Sequence, residues 1–113
     1  MCIRDRTKAI IVVHYAGISC DMSYFLKLKK KYGIFLIEDA AHSFMGKYKN
    51  QFLGTIGDIG AFSFHETKNI VGGQAGCISI NNPKLIKSSF KGPESRIKNF
   101  IETFEGLTLF AIY

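Results

Sequence analysis

The chain has few acidic residues, few cysteines and no long apolar run. Nine Asp and Glu stand against fifteen Lys and Arg in 113 residues, a formal net charge of +6. The three cysteines, Cys2, Cys20 and Cys77, are odd in number and show no CxxC spacing. That argues against a disulfide scaffold, gives no zinc signature and favours a reducing cytoplasm. Apolar stretches such as Ala9 to Val13 are too short to span a membrane, and no signal-peptide pattern is seen. The basic excess invites a nucleic-acid reading. Lys27, Lys29, Lys30 and Lys31 cluster on one expected helix, but no aromatic-interleaved basic motif accompanies them. No nucleic-acid partner is therefore expected, although a basic surface near a site helps to attract an anionic ligand.

With 47% hydrophobic residues, the chain can build one domain with a real core. Ala9 to His14 is a β-branched apolar run, expected as a buried parallel strand. Asp21 is placed to cap a helix running to Tyr32, with Met22, Phe25, Leu26 and Leu28 on its apolar side and the lysines facing water. Gly33 stops that helix. Ile34 to Glu38 is a second buried strand, so strand, helix and strand form a βαβ unit. Asp39 then falls at the carboxyl end of the second strand, the edge at which open α/β sheets bind ligands. Tyr48 to Gly60 reads as a hairpin or surface excursion, Ala61 to Phe64 and Gly76 to Ile80 as strands, and Asn82-Pro83 as a helix start. There is no internal repeat.

The chemistry concentrates around Lys68, in Phe62-Ser63-Phe64-His65-Glu66-Thr67-Lys68-Asn69, and around Glu38-Asp39-Ala40-Ala41-His42. A lysine amine can condense with an aldehyde. An aspartate at a strand end can hold a pyridine nitrogen protonated, and a serine hydroxyl beside backbone amides can hold a phosphate. Lys68, Asp39 and Ser63 match those three tasks, which together are what pyridoxal 5′-phosphate asks of a protein. Each residue also has a plain reading: a loop lysine, a turn-capping aspartate, a strand serine bonded to backbone. Glu38 points to the other side of its strand and is not expected at the ring.

Val12 to Ile86 resembles the DegT/StrS family of pyridoxal-phosphate-dependent sugar-nucleotide aminotransferases. The matching pieces are Val13-His14-Tyr15-Ala16-Gly17, Glu38 to His42, Leu53-Gly54-Thr55-Ile56-Gly57-Asp58-Ile59-Gly60, and Phe62 to Asn69. The last piece most resembles the WecE-like branch, the dTDP-4-amino-4,6-dideoxygalactose transaminases. The resemblance implies an α/β fold, a fragment of the large domain of a fold-type I enzyme with a mostly parallel sheet flanked by helices. It implies Lys68 as the catalytic lysine, with Asp39, His42, Ser63 and Lys68 holding the cofactor, and His42 beside the ring or its phenolic oxygen. His14 and Tyr15 would support the site from behind. It also implies a nucleotide-linked 4-keto-6-deoxy sugar as acceptor, L-glutamate as donor and a homodimeric parent. Gln74-Ala75 stands where relatives often have Glu-Gly, so no ligand contact is carried onto that loop.

Competing readings are a metal site from His14, Asp39, His42 and His65, a phosphoacceptor domain using Asp39 and Lys68, and a non-catalytic remnant. The first lacks a ligand signature, and the second lacks an acidic cluster at the first strand's end. Within the family, a 3-keto-sugar transaminase or a dehydratase is the alternative; dehydratases typically carry histidine in place of the lysine. Both ends look foreign. Met1 to Arg6 back-translates to ATGTGTATAAGAGACAG, which resembles a sequencing-library adapter, and residues 93–113 diverge from the family pattern. The expected organisation is thus 1–6 as a non-native start, 7–92 as a partial cofactor-binding domain and 93–113 as a divergent tail.

Overall fold

The computed structural model describes residues 3, 5–73, 75–85 and, as backbone only, 108–112. The described residues form seven strands, one α-helix and a short 3-10 turn: β1 (Ala9–Val13), the turn Tyr15–Gly17, α1 (Met22–Tyr32), β2 (Phe35–Asp39), β3 (Lys47–Tyr48), β4 (Gln51–Phe52), β5 (Ile59–Ser63), β6 (Gly76–Ile80) and β7 (Thr108–Ile112). Residues 83–85 add a helical turn after Asn82-Pro83. The positions expected to be foreign fall largely outside the described residues: 1, 2 and 4, and 93–113 apart from 108–112. Gln74 also lies outside them.

The main sheet has the order β1-β2-β5-β6-β7. β1, β2 and β5 pair in parallel, and β6 is antiparallel to both β5 and β7. Four strands therefore run one way and only β6 runs against them. The βαβ unit forms as the residue types require. Asp21 accepts from the Tyr24 amide at the start of α1, and Gly33 closes it in the left-handed region with φ 63°. That turn delivers the chain straight into β2.

α1 covers one face of the sheet. Val12, Met22 and Leu36 form the buried core there, with Ile10, Phe25, Leu26, Tyr48 and Ile56 packed around them. The loop 53–58 completes the cover. It lies so close to the strands that a Cβ on Gly57 would come within 2.6 Å of the Leu36 carbonyl, and one on Gly54 (φ 84°) would run into the Phe62 ring. Only glycine permits that approach. The excursion expected over Tyr48 to Gly60 is therefore a tight β3–β4 hairpin followed by a loop folded onto the sheet. Lys49 and Asn50, both with positive φ, make its two-residue turn.

Two expectations need correction. β1 is not buried on both sides: Val12 is 3% exposed, but Ile11 is 65% and Val13 51% exposed. Strand alternation sends Val12 under α1 and its neighbours to the uncovered face. Nor do all the α1 lysines face water. Lys29 Nζ lies 2.7 Å from Asp58 Oδ1 in a part-buried ion pair. Asp58 also accepts from the Leu36 amide and from Asn82 Nδ2. Burial alone would raise the Asp58 carboxyl, but Lys29 and the other donors outweigh it and hold it below the usual carboxylate range.

Candidate functional site

The parallel strands end along one edge, and the singled-out residues collect there. The Val13↔Asp39↔Ala61 register aligns the ends of β1 and β2 with the middle of β5, which runs two residues further to Ser63. The ladder runs one step further, with His14 N–H donating to the Asp39 carbonyl and Ala40 N–H to the Ala61 carbonyl. Because side chains in register share a face, Asp39 and Ser63 stand on the uncovered face of the sheet, with Val13 and Ala61. Glu38 stands on the other face, as its position in the strand required.

Asp39 is half-buried, and its Oδ1 accepts from the Ala41 amide at 3.1 Å, an Asx-type closure of the turn after β2. That turn presents His42. Ser63 ends β5, and among the described residues its hydroxyl receives only a long 3.4 Å contact from the His65 amide. Lys68 follows in a loop closed at its base by Phe64, whose N–H donates to the Ala75 carbonyl and whose carbonyl accepts from Gly72 N–H. Within the loop, Lys68 N–H donates to the His65 carbonyl. Phe44 packs edge-on against Phe62 and Phe64, with ring centroids 6.1 and 5.6 Å apart, and so joins the turn after β2 to the end of β5. Across this join Lys68 Nζ meets His42 Nε2 at 2.5 Å. Tyr15, 75% exposed, sets its ring 5.9 Å from that of His42.

His14 goes elsewhere. It is 1% exposed, and its Nε2 donates to Glu38 Oε2 at 3.0 Å while its Nδ1 accepts from the Cys20 amide. The Gly54, Ile56 and Gly57 amides also donate to the Glu38 carboxylate at 2.8, 2.7 and 2.5 Å. Burial would push this carboxyl up; the His14 contact and the three amides prevail and hold it below the ordinary glutamate range. Glu38 is thus the hub beneath the edge, fixing His14 from one side and the glycine loop from the other. Residue types gave little warning of this role, because most of its partners are backbone amides. The one signal was the glycine spacing in Leu53 to Gly60. His65 is exposed and turned to Thr67. The four residues of the metal reading are therefore not gathered: His14 is bound to Glu38 and His65 faces its own loop.

The donor set at the edge fits pyridoxal phosphate chemically. Among the described residues it offers a carboxylate with an oxygen left over from its turn, a hydroxyl with no strong partner, and an amine whose partner is an imidazole rather than a carboxylate. Those groups suit a ring nitrogen, a phosphate and an aldehyde.

Comparison with known proteins agrees in kind. The profile of the DegT/DnrJ/EryC1/StrS aminotransferase family matches residues 1–92. The chain is 43% identical over 83 residues to GDP-perosamine synthase of Escherichia coli O157:H7, covering 74% of this chain and 23% of that protein. The solved aminotransferase from Psychrobacter cryohalolentis is 39% identical with a TM-score of 0.70, over 74% of this chain and 21% of that one. Spr1654 from Streptococcus pneumoniae, solved in its PLP form, is 33% identical with a TM-score of 0.62, over 72% of this chain and 25% of that one. The chain thus spans about a fifth to a quarter of the length of these relatives. It belongs to the DegT/DnrJ/EryC1/StrS aminotransferase family, whose enzymes work with pyridoxal phosphate.

Proposed function

We propose that this member of the family serves the transfer of an amino group onto a nucleotide-linked sugar ketone, with Lys68 as the residue that engages the cofactor aldehyde. The observation that carries the reading is the Lys68 amine at the carboxyl edge, in contact with His42 and in no ion pair among the described residues. A carboxylate partner would hold the side chain by charge; a neutral imidazole accepts a hydrogen bond from it without adding a counter-charge. Asp39 is assigned the ring nitrogen and Ser63 the phosphate, on the face they share. Bound there, the cofactor supplies an aldehyde and an electron-accepting ring. The protein supplies the place: a carboxylate that orients the ring, a hydroxyl that anchors it, and an amine that moves a proton at the reacting carbon.

The acceptor is proposed as a 4-keto-6-deoxy sugar, as in the WecE-like branch, with L-glutamate as donor and a second copy of the parent completing a homodimer in the cytoplasm. The name of the perosamine relative supports a nucleotide sugar as the substrate class. Retention of a lysine at position 68 favours transamination over dehydration. Among the described residues no helix is long and apolar enough to cross a membrane.

The test is to incubate the protein with pyridoxal phosphate, reduce with borohydride and map the adduct by mass spectrometry. A single adduct on Lys68, lost in Lys68→Ala, is expected. Adducts scattered over surface lysines would overturn the assignment.

A further inference from the structure

The partner of Lys68 is unusual. A part-buried lysine amine most often lies against a carboxylate, as Lys29 does against Asp58 at 2.7 Å. Lys68 instead lies 2.5 Å from His42 Nε2, and among the described residues neither side chain enters an ion pair. The contact is built from separate parts of the chain. His42 rides on a turn fixed by the Asp39–Ala41 closure and by Ser43 N–H donating to the Ala40 carbonyl. Tyr15 flanks the imidazole. Lys68 is presented by a loop closed at Phe64, and Phe44 ties that base to the His42 turn.

From this geometry we infer that His42 is the positioning residue for the free Lys68 amine, a hydrogen-bond acceptor that holds Nζ at the strand-end edge whenever the amine is not engaged elsewhere. The inference rests on the proposed role of Lys68. For Nζ to donate, His42 Nε2 must carry the lone pair, so the neutral ring carries its proton on Nδ1. That is the opposite tautomer from His14, whose Nε2 donates to Glu38 and whose Nδ1 accepts from Cys20. The other titratable groups of the neighbouring segments are Tyr15 beside the ring, Asp39 on the same turn, and His65 and Glu66 on the lysine loop. Asp39 Oδ1 is taken by the Ala41 amide, and the His65 ring by Thr67.

Ring nitrogen shifts of the three histidines, measured by NMR on uniformly ¹⁵N-labelled protein without cofactor at a pH where the imidazoles are neutral, test this directly. His42→Gln identifies the His42 signals. The expected spectrum shows His42 with unprotonated Nε2 and protonated Nδ1. In Lys68→Met the balance should move toward Nε2–H, while His14 keeps its Nε2–H form. A wild-type His42 already protonated on Nε2 overturns the inference, and so does a spectrum that Lys68→Met leaves unchanged. The wild-type spectrum decides even if the variant fails to fold. Borohydride trapping of wild type separates the two ideas: an adduct on Lys68 with the wrong His42 tautomer sinks only the inference, whereas no adduct sinks the assignment of Lys68 itself.

Discussion

Replacing Glu38 by Gln keeps the shape of the side chain but removes the charge that His14 and three amides point toward. An amide also turns one N–H₂ group against donors that previously met an oxygen. Uncoupling a buried, multiply bonded carboxylate costs about 3 kcal/mol, so Glu38→Gln should lower the urea midpoint clearly. The acid side follows from the same contacts. The folded carboxyl lies below its unfolded value, so its contribution is complete above the ordinary glutamate pKa of about 4.3 and is lost as pH falls through the lower folded value. Wild-type stability should therefore fall on acidification below about pH 4.3, and Glu38→Gln should show a shallower fall. Equal slopes would mean that Glu38 is not the responsible group; Asp58, held low by Lys29, would then carry the acid sensitivity. The hub left one trace in the sequence, the glycine spacing of Leu53 to Gly60, because backbone amides are not written in residue types. The places of Asp39 and Ser63 at strand ends and of Lys68 in the loop after β5 were legible, because strand ends and turns are written in residue patterns.

At the scale of elements, the sequence told most where a cap or a turn residue stood. α1 begins after Asp21 and ends at Gly33, as their chemistry requires. Gly33 offers a clean test. No atom lies within 4 Å of where its Cβ would be, so Gly33→Ala meets only the backbone penalty of a positive φ, about 1 kcal/mol. Gly57→Ala should cost more, because its Cβ would approach the Leu36 carbonyl at 2.6 Å and lift the loop from Glu38. Thermal unfolding of the two variants should rank them in that order; the reverse order would show that loop 53–58 yields more easily than the helix end. The hairpin at 47–52 was harder to place. Its two turn residues are Lys49 and Asn50, not the glycine that signals such turns.

At the scale of the whole molecule, α1 and loop 53–58 cover one face of the sheet, and among the described residues β1 is exposed on the other. The open face carries Ile11, Val13 and Phe35, the last 42% exposed, in a continuous apolar strip along β1 and β2. Apolar runs read from sequence look like buried strands, and only the register shows which half of each run has something above it. Such a strip promotes association. The protein should show concentration-dependent self-association in sedimentation velocity, and Ile11→Thr with Val13→Thr should reduce it while changing stability by no more than about 1 kcal/mol. Unchanged association in the double variant would place the sticky surface elsewhere.

The loop that carries Lys68 has one more consequence, seen from the side of a digestive enzyme. Trypsin cuts after a lysine only when the free ammonium enters its own acidic pocket. Asn69 and the residues after it up to Gly73 are exposed, so the Lys68–Asn69 bond is within reach, while the amine that trypsin must read is turned inward onto His42. Cleavage at this bond should be slow in the native protein, quicken in His42→Ala, and stop once the amine has been reductively capped. A peptide map then becomes a gauge of where the amine is and whether it is occupied.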